Sequence, residues 1–217
     1  MPKIDFHTHT AYSYDAFTSM RQLERFFNKH PDFILAITDH DEIAGALEAK
    51  KQFGEQIIVG EEIKTKQGEI IGFYLSEYIE PGLDVEITIE KIRQQNGLIG
   101  VPHPFKRHGN SDSPLAEEFL YQLVDQFDII EVFNGRNRTD GANTRAKEFA
   151  EKYDKPQSVG SDGHAVYELG HTYISLPEYQ GKETLTAQLR HGKCTCRSIS
   201  FPHRLLTRIQ REFKKGK

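Results

Sequence analysis

The segment Phe33–Thr38 reads Phe-Ile-Leu-Ala-Ile-Thr, a nearly unbroken apolar run of strand length. A strand with one wet face alternates apolar and polar residues. This one does not, so it is buried on both faces and must be covered above and below. The flanking sequence supplies the cover. Met20, Leu23, Phe26 and Phe27 recur at helical spacing before it, and Ala44, Leu47 and Ala49 follow it, with Asp41 placed to cap that second helix.

The same alternation of strand and helix patterns runs through the chain. Strands are expected at Lys3–His7, Gln56–Ile63, Glu69–Leu75, Leu98–Val101, Asp128–Phe133 and Gln157–Gly160, with later ones at His171–Leu176 and Lys193–Ser200. Lys64 to Gly68 reads as a hairpin turn. Helices are expected around Val85, Ile89 and Ile92, from Phe119 to Phe127, around Ala142, Ala146, Phe149 and Ala150, and over Lys182–His191. Helical crossovers between buried strands imply a mostly parallel sheet, and about seven such strands imply an α/β barrel or near-barrel. At 217 residues the chain is expected to be one domain, residues 1–217.

No apolar run approaches the roughly 18 residues of a membrane span. Polar His7 to Thr10 interrupt the start at once, so no secretory leader is legible and a cytoplasmic location is expected. The net charge of −4 argues against a broad nucleic-acid surface, though not against a small phosphate pocket. Cys194 and Cys196 are one residue apart; on a strand they would point to opposite faces, so reduced thiols are expected. The basic segment from Arg204 carries Leu205, Leu206, Ile209 and Phe213 at helical spacing and reads as a docked terminal helix over 204–217.

The residues that end these strands carry the chemistry. The first strand leads into His7 and His9, with Asp15 close behind, and the second into Thr38-Asp39-His40. The third carries Gly60-Glu61-Glu62, and Leu98–Val101 is followed by Pro102-His103-Pro104. Glu131 lies on the sixth, and Ser161-Asp162-Gly163-His164 follows the seventh, whereas the hairpin strand Glu69–Leu75 offers nothing at its end. In an α/β barrel the strand ends open on one face, so groups distant in sequence converge there. Burying so many polar and charged groups without compensation is costly, and divalent metal ions provide it. Five of the ten histidines belong to this set; His30, His108, His171, His191 and His203 are read as bystanders.

In these motifs (HTH at 7–9, TDH at 38–40, GEE at 60–62, PHP at 102–104 and SDGH at 161–164) the chain resembles the PHP (polymerase and histidinol phosphatase) family of metal-dependent phosphoesterases. The motifs span about residues 3–165; the stretch from Glu168 to Lys193, within about 166–200, resembles the family's PHP-associated C-terminal segment. The resemblance implies a distorted (β/α)7 barrel holding two or three divalent ions. It implies that His7, His9, Glu62 and Asp162 hold one ion, that Glu62 bridges to a second held by His103 and Glu131, and that Asp15, His40 and His164 hold a third. Asp15 and Glu131 stand where the most histidine-rich members have histidines. Mixed imidazole and carboxylate ligands suit Mn2+, Zn2+ or Fe2+.

A hydroxide bridging two ions would be the nucleophile, and no protein nucleophile is legible. Arg107 and Arg136, among Lys106, Arg107, Arg136 and Arg138, are the candidates for gripping phosphate, because arginine can do so bidentately. The general acid is not identified, with His108 or a metal-bound water as options. The expected activity is hydrolysis of a phosphomonoester of a small metabolite or nucleotide. The alternatives are 5′–3′ exonuclease action on short oligonucleotides, amidohydrolase-type hydrolysis, or metal binding without catalysis. A small phosphorylated molecule is the expected partner; neither a membrane nor stably bound nucleic acid is.

Overall fold

The computed structural model describes residues 1–106, 113–137 and 141–215. In chain order the elements are β1 (Lys3–Thr8), α1 (Met20–Lys29), β2 (Phe33–Ile37), α2 (Ala44–Phe53), β3 (Ile57–Thr65), β4 (Gly68–Phe73), α3 (Val85–Gln94), β5 (Leu98–Val101), α4 (Glu117–Gln122), β6 (Ile129–Asn134), α5 (Ala142–Lys152), β7 (Gln157–Gly160), β8 (Tyr173–Ser175), α6 (Lys182–Leu189), β9 (Lys193–Thr195) and α7 (Phe201–Lys215).

The strands form one sheet in the order β7-β6-β5-β4-β3-β2-β1-β8-β9. Strands β1, β2 and β3 are mutually parallel, as are β5, β6 and β7. β4 runs antiparallel to both β3 and β5. The sheet curls until its β7 end meets β1. Just beyond the strand ends, His9 N donates to the Gly163 carbonyl at 2.9 Å and Asp162 N to the His7 carbonyl at 2.8 Å. Seven strands thus make a nearly closed α/β barrel. β8 and β9, at the places of the two expected later strands, extend the sheet from the other edge of β1 as an antiparallel arm outside the seven-stranded barrel.

Local sequence accounts for these elements. In β1, Ile4 and Phe6 share one face while Asp5 and His7 share the other, and all four are buried. β2 is buried at every position, as its apolar run requires. α1 turns Leu23, Phe26 and Phe27 inward, and its start is tied by Ser19 N donating to Gln22 Oε1. Phe6 and Phe73 meet edge to face at 5.9 Å between ring centroids. Each large side chain fully buried in this way contributes about 1.5–3 kcal/mol.

Four local expectations need correction. Asp41 does not cap α2. It sits at φ 51° and its carboxylate accepts Lys64 N at 2.8 Å, while Glu42 Oε1 accepts the Ile43 and Ala44 amides. The helix expected over Phe119–Phe127 ends at Gln122, and a single 3-10 turn follows. The terminal helix begins at Phe201, before the basic run. β9 ends at Thr195, so strand parity no longer separates the two cysteines, which are free and exposed.

Candidate metal centre

β1 delivers His7 from within the strand and His9 just past it, two residues apart and therefore on one side. His40 follows β2, Glu62 lies within β3, His103 follows β5, Glu131 lies within β6, and Asp162 and His164 follow β7. All are buried, as is Asp15 on the loop between β1 and α1. His9 stands at the centre, its ring centroid 5.0 Å from His7, 4.5 Å from His40 and 4.4 Å from His164.

Carboxylates thread between the imidazoles. Glu62 Oε2 lies 3.1 Å from His7 Nε2, 3.1 Å from His40 Nδ1 and 3.5 Å from His9 Nε2, while Glu62 Oε1 lies 2.9 Å from His103 Nε2. Asp162 Oδ1 is 3.4 Å from His9 Nε2 and 4.0 Å from His7 Nε2. Asp15 Oδ2 accepts from His164 Nε2 at 3.1 Å, and Asp15 Oδ1 is 3.9 Å from His40 Nε2. Donor atoms fall within 4.8 Å of one another in four sets: His7/His9/Glu62, His7/His103/Asp162, His9/His40/His164 and Glu62/Glu69/His103.

Glu131 and Glu69 stand differently from their sequence reading. The Glu131 Oε1 atom accepts from His7 Nδ1 at 3.2 Å, and its Oε2 accepts His103 N at 2.6 Å and Asn134 Nδ2 at 3.1 Å. It therefore braces two histidines from behind and falls outside all four sets. Glu69, to which sequence reasoning gave no role, is buried with Oε2 3.8 Å from His103 Nε2. Because β4 is antiparallel to β3, with Glu69 opposite Lys64, its first residues lie on the ligand face.

The backbone and the packing make room for the cluster. His103 sits at φ 30° and Asp162 at φ 54°, left-handed conformations that turn each side chain sharply off its strand. Gly160 lies hard against the His7 Cβ and Glu131 Oε1, where any side chain would collide.

The electrostatics of the site suit divalent cations. Burial, with His164 and His40 nearby, pushes His9 down to about 3, so it is a neutral imidazole at neutral pH. Neither His9 ring nitrogen has a hydrogen-bond partner, nor does His40 Nε2. Burial works against a charge on His7, yet Glu62, Glu131 and Asp162 hold it well above its ordinary value. Glu62 and Asp162 are held well below theirs despite burial, Glu62 chiefly by His7 and His40 and Asp162 chiefly by His7 and Lys106. A neutral, unpartnered imidazole facing ionised carboxylates fits a metal ion, so the donor set suits the expected group.

Of the expected phosphate-binding arginines, Arg107 lies outside the described residues, as do His108 and Arg138. Arg136 donates through Nε to the Asp162 carbonyl at 2.6 Å and through Nη2 to Glu168. Glu168 also accepts His164 N at 2.8 Å. Lys106, which sequence reasoning passed over in favour of its neighbour, has Nζ 3.6 Å from Asp162 Oδ2. Arg211 on α7 also went unnoticed; its Nη2 lies 2.8 Å from Asp15 Oδ2. Lys106 has a local signal, since it follows the His103 strand end, whereas Arg211 has none that singles it out from the other lysines and arginines of the sequence. His30, His171, His191 and His203 join none of the donor sets.

Residues 140–194 match the family described as PHP-associated. An uncharacterised protein from Methanocaldococcus jannaschii is 36% identical over 179 residues, covering 81% of this chain and 71% of its own length. A two-domain Bacteroides vulgatus protein, containing a predicted PHP-like metal-dependent phosphoesterase, superimposes with a TM-score of 0.69 at 16% identity. That match takes in 90% of this chain and 65% of the Bacteroides protein, so the chain spans just under two thirds of it. An amidohydrolase from Chromobacterium violaceum, solved with bound sulfate and no metal, superimposes with a TM-score of 0.61 at 17% identity over 97% of this chain and 96% of its own. Together with the five motifs on the strand ends, these relationships show that the chain belongs to the PHP family.

Proposed function

We propose that the protein is a metal-dependent hydrolase that cleaves the phosphomonoester of a small metabolite or nucleotide. The observation that carries this reading is the buried centre in which His9 is neutral with both ring nitrogens unpartnered, among ionised Glu62 and Asp162. His7, His9, Glu62 and Asp162 would hold one divalent ion. Glu62 and His103, with Glu69, would hold a second, and His40 and His164, with His9 and Asp15, surround a further cation position. Mn2+, Zn2+ or Fe2+ suits such donors. When bound, the ions would supply an activated water and neutralise phosphoryl charge.

The chain's own groups do the rest. Glu131 accepts the Nδ1 proton of His7 and so presents Nε2 to the centre, the outer support that metal-bound histidines commonly have. Lys106 lies beside Asp162 and can offer a compact positive charge to a phosphoryl oxygen. Arg136 acts as a positioning residue, holding the Asp162–His164 turn through the Asp162 carbonyl and Glu168. The net charge of −4 favours a small substrate over a long nucleic acid.

The test is phosphate release by the Mn2+-loaded protein from a panel of sugar phosphates, nucleotides and nucleoside bisphosphates, with a short RNA as a further arm. Release from a small phosphomonoester, lost in His9→Ala, is expected. Mononucleotide release from RNA without phosphate release would favour the exonuclease, and no activity above His9→Ala in any arm would overturn the hydrolase reading.

A further inference from the structure

The terminal helix α7 is stitched to the metal centre along one of its faces. Thr207 Oγ1 donates to Glu168 Oε1 at 2.7 Å, the carboxylate that also accepts His164 N. Tyr167 OH donates to Gln210 Oε1 at 3.1 Å. One turn on, Lys214 Nζ donates to the carbonyls of Ala11, Ser13 and Ala16, at 3.2, 2.7 and 3.1 Å, and so clamps the loop that carries Asp15. Between these fixed points Arg211 reaches Asp15 Oδ2 at 2.8 Å. That same oxygen accepts from His164 Nε2, while Ser13 Oγ donates to the other at 3.0 Å.

Asp15 flanks the third cation position, Oδ2 3.1 Å from His164 Nε2 and Oδ1 3.9 Å from His40 Nε2, with Glu62 Oε2 3.1 Å from His40 Nδ1 and Asp162 Oδ1 3.3 Å from His164 Nδ1. The nitrogens of His9, His40 and His164 gather there, but Asp15 joins none of the donor sets and faces a guanidinium. A divalent ion entering among those imidazoles would share Asp15 with a cation fixed by the helix, while Glu62 and Asp162, the other carboxylates within reach, are those that would hold the first ion. Two like charges around one carboxylate repel, the more strongly where water is excluded.

We infer that Arg211 takes the charge role of a third ion in the Asp15–His40–His164 position, so that this protein saturates at two divalent ions. This rests on the reading of the cluster as a metal centre. The helix then belongs to the centre: it supplies a fixed positive charge where a metal would otherwise sit, and it fixes the loop that presents Asp15.

Equilibrium dialysis of the full chain against Mn2+ at neutral pH, with elemental analysis of bound metal, measures this directly. Wild type is expected to saturate at two ions per chain. Arg211→Met and Arg211→Gln are each expected to bind a third, and Arg211→Lys, which keeps the charge, to stay at two. Circular dichroism confirms that each variant is folded, and either neutral variant suffices for the comparison. A wild-type protein that binds no Mn2+ would overturn the metal reading itself. Any other wild-type count than two, or a folded neutral variant that stays at two, would overturn the role given to Arg211 while leaving the metal centre standing.

Discussion

Glu61 and Glu62 leave the same strand in opposite directions, because successive side chains alternate faces. In the sequence it is the likeness to the PHP motifs that selects Glu62 of the pair. The structure gives Glu62 four imidazole neighbours and Glu61 none. Glu61 is fully buried, its Oε2 accepts Ile79 N at 3.1 Å, and its Oε1 has no hydrogen-bond partner. Burial pushes its pKa up to about 8 from 4.5. A carboxyl whose folded pKa is raised keeps its proton where the unfolded chain has released it. Its contribution is therefore fully present below about pH 4.5, and is withdrawn as the pH rises to about 8. Glu61→Gln keeps an acceptor for Ile79 N and removes the charge. Thermal melts should show a clear gain in Tm at about pH 9, at roughly 2–4 °C per kcal/mol recovered, and little gain near pH 5. Equal gains at both pH values would show that Glu61 is not held neutral.

At the scale of elements, the buried strands and the helices between them were legible, since β2 and β7 stand where their apolar and small residues place them. The role of β4 was not, because the hairpin pattern makes β4 antiparallel to β3 but does not tell whether its first residues reach a site built by the others. Reversal of β4 puts Glu69 opposite Lys64 and within 3.8 Å of His103, where a parallel strand would have offered Leu75. The links between α7 and the Asp15 loop were equally hidden. They depend on where a terminal helix docks, and its amphipathic pattern fixes a face but not a partner. If the reversed strand supplies a ligand, Glu69→Gln should weaken Mn2+ binding by at least about tenfold, the lower bound reported even for indirect partners of metal ligands. Glu69 Oε2 also accepts Ser113 N at 2.9 Å, an interaction that the glutamine carbonyl can retain. Titration calorimetry with Mn2+ separates the two roles, because an unchanged affinity would reduce Glu69 to a support for the 113 loop.

For the molecule as a whole, the centre sits on the seam where the barrel closes. His7 belongs to β1 and His9 follows it, Asp162 and His164 belong to the turn after β7, and backbone bonds from His9 to Gly163 and from Asp162 to His7 join the two edges. Asp5 reinforces the seam by accepting Ser161 N at 2.8 Å and His7 N at 3.3 Å. Ions bound there would tie the first strand to the last and so stabilise the whole barrel. An ion at one hundred times its Kd stabilises the fold by about 2.7 kcal/mol. In a chain of this size that is a rise in Tm of roughly 5–11 °C per site. The rise must also depend on pH. His7 and His103 both have folded pKa values above their ordinary 6.5, His7 through Glu62 and its neighbours and His103 through Glu62 and Glu69, in each case against burial. Without metal, the fold gains from these bound protons below pH 6.5 and loses that gain as the pH rises through the raised values. Metal binding requires neutral imidazoles and displaces the protons, so it is penalised on the acid side. The Mn2+-induced rise in Tm should therefore grow from about pH 6 to about pH 8, disappear with a chelator, and shrink sharply in His9→Ala. A rise that is independent of pH, or retained in His9→Ala, would place the binding away from the seam.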